Sequence, residues 1–222
     1  MSVNIAIDGP AGAGKSTIAK AVARELKFIY VDTGAMYRAM ALYLIRQGIS
    51  PSQKEEMEEA CRRADISIVY EKGLQQVILN GENVTGQLRS EEVGNMASVS
   101  SANPAIRRKL VELQRNLADR ENVVMDGRDI GTCVLPHADV KIYLTASVKT
   151  RAMRRYKELI EKGISCALEE IEADIQDRDE RDMSRNVSPL KRAEDAVLLD
   201  SSHMNIEEVK TEILRLYREA CS

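Results

Sequence analysis

The run Gly9-Pro10-Ala11-Gly12-Ala13-Gly14-Lys15-Ser16 satisfies G-x-x-x-x-G-K-[ST] at every fixed position, and Thr17 follows it. A segment of this kind is built to cradle a polyphosphate. Glycines let main-chain N–H groups curl around phosphate oxygens without side-chain clash. The helix that follows adds its N-terminal dipole and free N–H groups. Lys15 is then placed to reach the β- and γ-phosphates, and Ser16 to ligate Mg²⁺. A glycine-rich turn could match by accident, so the flanks decide. Val3–Asp8 reads as a short buried strand, and Ile18, Val22 and Leu26 recur every four residues as one helical face. Strand, loop and helix stand in the required order. Residues 9–17 are therefore expected to bind ATP or GTP with Mg²⁺.

The arginines narrow the choice. Signalling GTPases read guanine through N-K-x-D and sense the γ-phosphate through D-x-x-G, and neither string occurs in the chain. A transferase acting on a small phosphorylated acceptor instead needs cations around a transition state that spreads charge over phosphate oxygens. Asp32-Thr33-Gly34-Ala35-Met36-Tyr37-Arg38 follows one strand-like run and Asp126-Gly127-Arg128-Asp129 another. Both fall at the carboxyl edge, where α/β proteins bind ligands. Arg151, Arg154 and Arg155 lie at i, i+3 and i+4, and Arg178, Arg181 and Arg185 at i, i+3 and i+7 with Asp182 among them. Either helical cluster also fits a solvated, salt-bridged face. Arg38 and Arg128 are harder to read that way.

These side chains need a frame. Phe28–Asp32, Val123–Met125, Val140–Leu144 and Ala196–Leu199 join Val3–Asp8 as five short apolar strands. Helices are expected near 15–26, 34–46, 147–162, 166–182 and 206–219. Gly48 suits the position after the 34–46 helix, and Ser50-Pro51-Ser52-Gln53 reads as an N-cap, a Pro at N1 and a capping-box glutamine. Ser90 and Asn103-Pro104 open two more helices, the second burying Ile106, Leu110, Leu113 and Leu117. Between them the pattern changes. Lys72-Gly73 and Asn80-Gly81 separate β-rich runs, predicting a small antiparallel insertion over 66–88. The fold class is α/β: a three-layer P-loop fold with a five-stranded parallel sheet.

Composition removes other classes. Of 222 residues, 32 are basic and 35 acidic, a net charge of −3, which argues against a partner bound by bulk electrostatics such as nucleic acid. Aromatics are 4 %, with no Trp and a single Phe, so base stacking on an aromatic platform is not expected. Cys61, Cys133, Cys166 and Cys221 are scattered and only His137 and His203 are present, so no Cys/His metal site is expected. Thiols of this kind fit a reducing cytosol. No apolar run is long enough for a bilayer or a signal peptide, and a cytoplasmic location is expected. The near-neutral total hides local structure. Residues 151–192 hold seven arginines with Lys157, Lys162 and Lys191 against ten acidic side chains.

Gly9–Thr17, D-T-G-A-M-Y-R at 32–38, D-G-R-D at 126–129 and R-D-E-R-D-M-S-R at 178–185 together resemble bacterial-type cytidylate kinase, over essentially the whole chain. The phosphate loop is shared widely; the other three blocks, in this order and spacing, are specific. The resemblance implies transfer of the ATP γ-phosphate to CMP or dCMP. Carried over by motif, Ser98, Arg107 and Asp129 read cytosine, and Arg38, Arg128 and Arg185 hold the acceptor phosphate. Arg178 and Asp182 lie near the sugar, with Thr33 and Tyr37 flanking the acceptor. Arg151, Arg154 and Arg155 belong to a helical lid over the donor phosphates, Arg151 and Arg155 counting with Lys15, Arg128 and Arg185 as catalytic. Base chemistry agrees: a carboxylate facing position 4 accepts from the cytosine amino group and repels the uracil oxygen. One kinase domain is implied, with core about 1–32, 104–148 and 190–222, an acceptor-binding region about 33–103 and a lid about 149–189. A monomer is expected. A P-loop kinase for another nucleoside monophosphate or small metabolite, and a non-catalytic nucleotide-binding regulator, are the alternatives.

Overall fold

The computed structural model describes residues 2–161 and 163–221; Lys162 lies outside them. In chain order the elements are β1 (Asn4–Asp8), α1 (Lys15–Leu26), β2 (Ile29–Asp32), α2 (Thr33–Arg46), α3 (Lys54–Arg63), β3 (Ile66–Glu71), β4 (Leu74–Leu79) and β5 (Glu82–Asn83). A 3₁₀ turn at Thr85–Gln87, α4 (Glu91–Ser100), α5 (Pro104–Ala118), β6 (Val123–Gly127), a π turn at Ile130–Val134 and β7 (Val140–Thr145) follow. The chain closes with α6 (Val148–Glu161), α7 (Leu168–Met183), β8 (Val197–Asp200) and α8 (Ile206–Ala220).

Two compact units emerge. One takes in residues up to Tyr30 and those from Asn122 onward; the other is Val31–Glu121. The five-stranded sheet has the order β2-β6-β1-β7-β8. β1 runs parallel to β6, with Ile7 opposite Asp126 and Asp8 opposite Gly127, and parallel to β7 on its other side. β7 in turn pairs parallel with β8. Four of the five β1 residues are buried, the continuous apolar run of a strand covered on both faces. Ile5, Ile7, Val124, Ile142 and Leu144 form a core with Ile18 and Val22 of α1 and Val209, Ile213 and Leu214 of α8. Asn205 begins α8 with a full capping box, exchanging main-chain and side-chain bonds with Glu208.

The second unit carries the antiparallel sheet β3-β4-β5. Its Asn80-Gly81 turn has φ of 49° and 84° at the two residues, the left-handed pair that matches strand twist in a two-residue hairpin. α5 belongs to this unit, packing on α2 and α3, whereas the sequence grouped it with the core.

Three local expectations change. Ser50 does not begin a helix: residues 51–52 form a turn, and α3 starts at Lys54 with Gln53 as an N-cap lacking a side-chain bond. The Gln53 side chain still reaches back, accepting from the Ser50 N–H at 2.8 Å, so the capping-box signal was a turn signal. Leu113 and Leu117 are only half-buried; α5 instead buries Ile106, Arg107, Leu110, Val111, Gln114 and Ala118. Arg185 lies beyond the end of α7 at Met183, so it shares no helical face with Arg178.

Candidate active site

The loop between β1 and α1 is shaped by contacts that only glycine allows. Gly9 has φ 148°, and a Cβ there would stand 1.9 Å from the Leu144 carbonyl oxygen. Gly14 is the left-handed N-cap of α1 and makes no side-chain capping bond. The first-turn N–H groups of α1 thus remain available to an anion. Lys15 is buried, and its ammonium donates to the Pro10 carbonyl at 2.7 Å, folding back over the loop. Burial and the Arg128 charge push that ammonium down to about 7, against the pull of Asp126, Asp8 and Asp182.

Ser16 donates its hydroxyl to Asp126 Oδ2 at 2.9 Å, and Tyr30 donates to Oδ1 at 2.8 Å. A hydroxyl and a carboxylate in contact at the mouth of a phosphate loop are hard oxygen donors of the type Mg²⁺ takes alongside nucleotide phosphates. Among the described residues no group of three or more His, Cys, Asp or Glu side chains forms a metal cage. The donor set suits an ion that arrives with its nucleotide. Asp126 was not singled out in the sequence as a metal ligand. Its signal was there: it ends a strand-like run in D-G-R-D, and the register sets it opposite Ile7, two residues before Gly9.

Next to this pair lies a cationic cluster. Arg128 donates Nε to Asp182 Oδ2 at 2.7 Å, and Arg185 pairs with the other oxygen. Burial pushes the Asp182 carboxyl up, but Arg128 and Arg185 hold it below the usual carboxylate range. Asp8 accepts the N–H groups of Ile130 and Gly131, both at 2.7 Å, and so fixes the turn that follows buried Asp129. Burial outweighs those two bonds and raises the Asp8 carboxyl to about 6.

The helical arginines separate into different roles. Arg151 is buried and donates to Ala11 O in the phosphate loop and to Ala146 O, both at 2.9 Å, while pairing with buried Asp179 at 2.7 Å. It packs under Gly12, where a Cβ would stand 3.3 Å from its own. Arg154 donates to the Ser201 carbonyl at 2.7 Å. Arg155 is exposed and pairs with Glu158, and Arg178 is half-buried beside Asp174 at 3.8 Å. Arg154 and Ser201 also border a cavity of about 710 Å³ whose apolar wall includes Ile18, Met204, Ile206 and Val209. It opens beside Ala13 and Gly14 and has the apolar character expected of a seat for a nucleotide base.

In the second unit, Asp32 N-caps α2 by accepting from Ala35 N at 2.9 Å and pairs with Arg38 at 3.2 Å. The Arg38 Nε is buried with no hydrogen-bond partner. Thr33 is buried and Ser98 half-buried. The Arg107 guanidinium lies over the Tyr37 ring at 5.6 Å and donates to Ser101 O at 3.3 Å.

Comparison with known proteins matches this architecture to one family. The sequence model of the cytidylate kinase family matches residues 5–219. A cytidylate kinase of Desulfitobacterium hafniense is 50 % identical over 98 % of this chain and 94 % of its own length. One from Thermotoga maritima is 48 % identical over 99 % and 98 %, and one from Bacillus subtilis 45 % over 96 % and 95 %. Among solved structures, shikimate kinase from Bacteroides thetaiotaomicron shares the fold, with TM-score 0.50 and 16 % identity over 97 % of this chain and 98 % of that one. An uncharacterized protein from Eubacterium ventriosum does so at TM-score 0.54 and 12 % identity, over 99 % of each chain. With its phosphate loop, acidic Ser16 partner and paired arginines in one fold, and with relatives near half identity along nearly its full length, this chain belongs to the cytidylate kinase family.

Proposed function

We propose that this chain transfers the γ-phosphate of ATP to CMP or dCMP, giving ADP and CDP or dCDP. One observation carries the reading beyond family membership. Arg128 and Arg185 converge on Asp182, and Arg128 is close enough to Lys15 to depress its ammonium, so cations fit for an acceptor phosphate share one field with the donor lysine. A non-catalytic regulator has no need of that arrangement, and neither alternative is favoured.

The division of labour follows from the side chains. Lys15 neutralises charge developing on the moving phosphoryl group, and Arg128 and Arg185 hold the acceptor phosphate in line. Ser16 and Asp126 are the residues that would hold Mg²⁺, which would supply screening of the phosphate charges. A CMP phosphate oxygen attacks the γ-phosphorus as the bond to the bridging oxygen of ADP breaks, so no nucleophilic side chain is required. Arg151 fixes the loop at Ala11, while Arg154 lies beside the cavity read as the seat of the donor base. Arg155 acts in the lid, with α6 and α7 as its helices. Arg38 joins in holding the acceptor phosphate, with Thr33, Tyr37, Arg178 and Asp182 around the rest of the nucleotide. Ser98, Arg107 and Asp129 read cytosine.

An ADP-release assay across CMP, dCMP, UMP, AMP and GMP tests the reading. CMP and dCMP are expected to lead, with UMP lower by about 10-fold or more because it leaves a charged group unpaired. Preference for a purine nucleotide, or no stimulation by CMP, would overturn it.

A further inference from the structure

We propose that Gln75 is a positioning residue for the acceptor site, through which the antiparallel insertion fixes the start of α2. Gln75 is half-buried on β4, paired across the hairpin with Tyr70. Its carboxamide oxygen accepts from the Asp32 main-chain N–H at 2.8 Å, and its Nε2 donates to the Asp32 carbonyl at 3.2 Å. One side chain thus meets both polar groups of the same residue, as a neighbouring strand would. Asp32 is the last residue of β2, and α2 begins at the next position.

The carboxylate of Asp32 is committed as fully as its main chain. It caps α2 at Ala35 N and pairs with Arg38. There is little slack: a Cβ on Gly34 would stand 3.1 Å from Arg38 Nη1 and 3.2 Å from Asp32 Oδ1. Gln75 therefore sets the main chain of Asp32, which sets both the first turn of α2 and the guanidinium of Arg38. A carboxamide is needed. Glu at 75 keeps the acceptor but opposes an oxygen to the Asp32 carbonyl, and Leu removes both bonds. This gives the insertion a job in acceptor binding, and it rests on the reading of Arg38 as an acceptor-phosphate residue.

Steady-state kinetics on the full chain test it, with Gln75→Leu, Gln75→Glu, Arg38→Met, the Gln75→Leu/Arg38→Met double variant and a Gln76→Ala control. Gln76 accepts from Asn83 and makes no bond to Asp32, so its loss probes the hairpin alone. Both Gln75 variants are expected to raise KM for CMP about 5–10-fold while KM for ATP stays within about 2-fold. Gln76→Ala should leave both constants near wild type. The double variant should be no worse than Arg38→Met alone, because Gln75 acts through Arg38. Should Gln75→Leu fail to fold, the near-isosteric Gln75→Glu carries the same comparison. An unchanged KM for CMP, an equal rise in KM for ATP, or losses that multiply in the double variant would each overturn the proposal. If Arg38→Met itself left KM for CMP unchanged, the acceptor reading would fall and the proposal with it; if only the Gln75 variants were silent, the proposal alone would fall.

Discussion

Lys15 shows what a single buried charge implies. Its ammonium is held near 7 in the free protein by burial and by Arg128, well below its ordinary 10.5. Phosphate arriving beside it favours the charged form, so nucleotide binding near pH 7 should be accompanied by proton uptake at this site. Calorimetry of Mg-ADP binding in two buffers of different ionisation enthalpy reads that uptake, and Lys15→Met should remove it. Equal apparent enthalpies in the two buffers for the wild type would contradict the assignment. The sign for stability follows from the same shift. Between about 7 and 10.5 the unfolded chain binds the extra proton, so the cost of burying Lys15 eases as pH rises through that window and is full below it. Lys15→Met should also lower turnover about 10²–10³-fold while preserving the fold, as loss of a transition-state cation does elsewhere. At Asp129 the expected effect is on choice: Asp129→Asn should narrow the CMP/UMP ratio of kcat/KM by about 10-fold or more. An unchanged ratio would remove Asp129 from cytosine reading.

The elements explain why some functional side chains were legible in the sequence and others were not. The strand–loop–helix order around Lys15, the hairpin at Asn80-Gly81 and the caps at Ser90 and Asn103 depend on neighbours a few residues apart, and all appear where local rules set them. Gln53 misled because the same back-bond closes a turn as readily as it begins a helix. Leu113 and Leu117 were misread because an apolar residue on α5 need not face inward, and Gln114 took a buried place instead. Asp8, Asp126, Asp179 and Gln75 escaped for another reason. Their partners are 43 to 123 residues away or, for Asp179, on another helix, so only the pairing of distant elements gives them meaning. The Arg151–Asp179 pair is the sharpest case. Helical spacing put Arg151 on one face with Arg154 and Arg155; it could not show that Arg151 ties α6 to the phosphate loop at Ala11 and to α7 at Asp179. Removing one partner of a buried pair leaves the other uncompensated, so Asp179→Ala should cost about 3–5 kcal/mol of stability. Thermal or denaturant unfolding checks this; a loss under about 1 kcal/mol would mean that water replaces the carboxylate without strain.

At the scale of the whole molecule, a net charge of −3 describes a scaffold on which cations are placed rather than accumulated. Lys15, Arg128, Arg151 and Arg185 are gathered in one unit with four aspartates: Arg128 and Arg185 share Asp182, Arg151 pairs with Asp179, and the Lys15 ammonium, bonded to the Pro10 carbonyl, feels the charges of Asp126, Asp8 and Asp182. Such a molecule should spend ATP only when an acceptor is present, because the acceptor phosphate completes the charge balance and water does not. The most direct measurement follows γ-labelled phosphate from ATP with Mg²⁺, with and without CMP. The label is expected in CDP when CMP is present, and release as inorganic phosphate should be at least about 100-fold slower in either condition. Label appearing as inorganic phosphate at a rate comparable to its transfer to CMP, or no labelled CDP when CMP is added, would contradict the account.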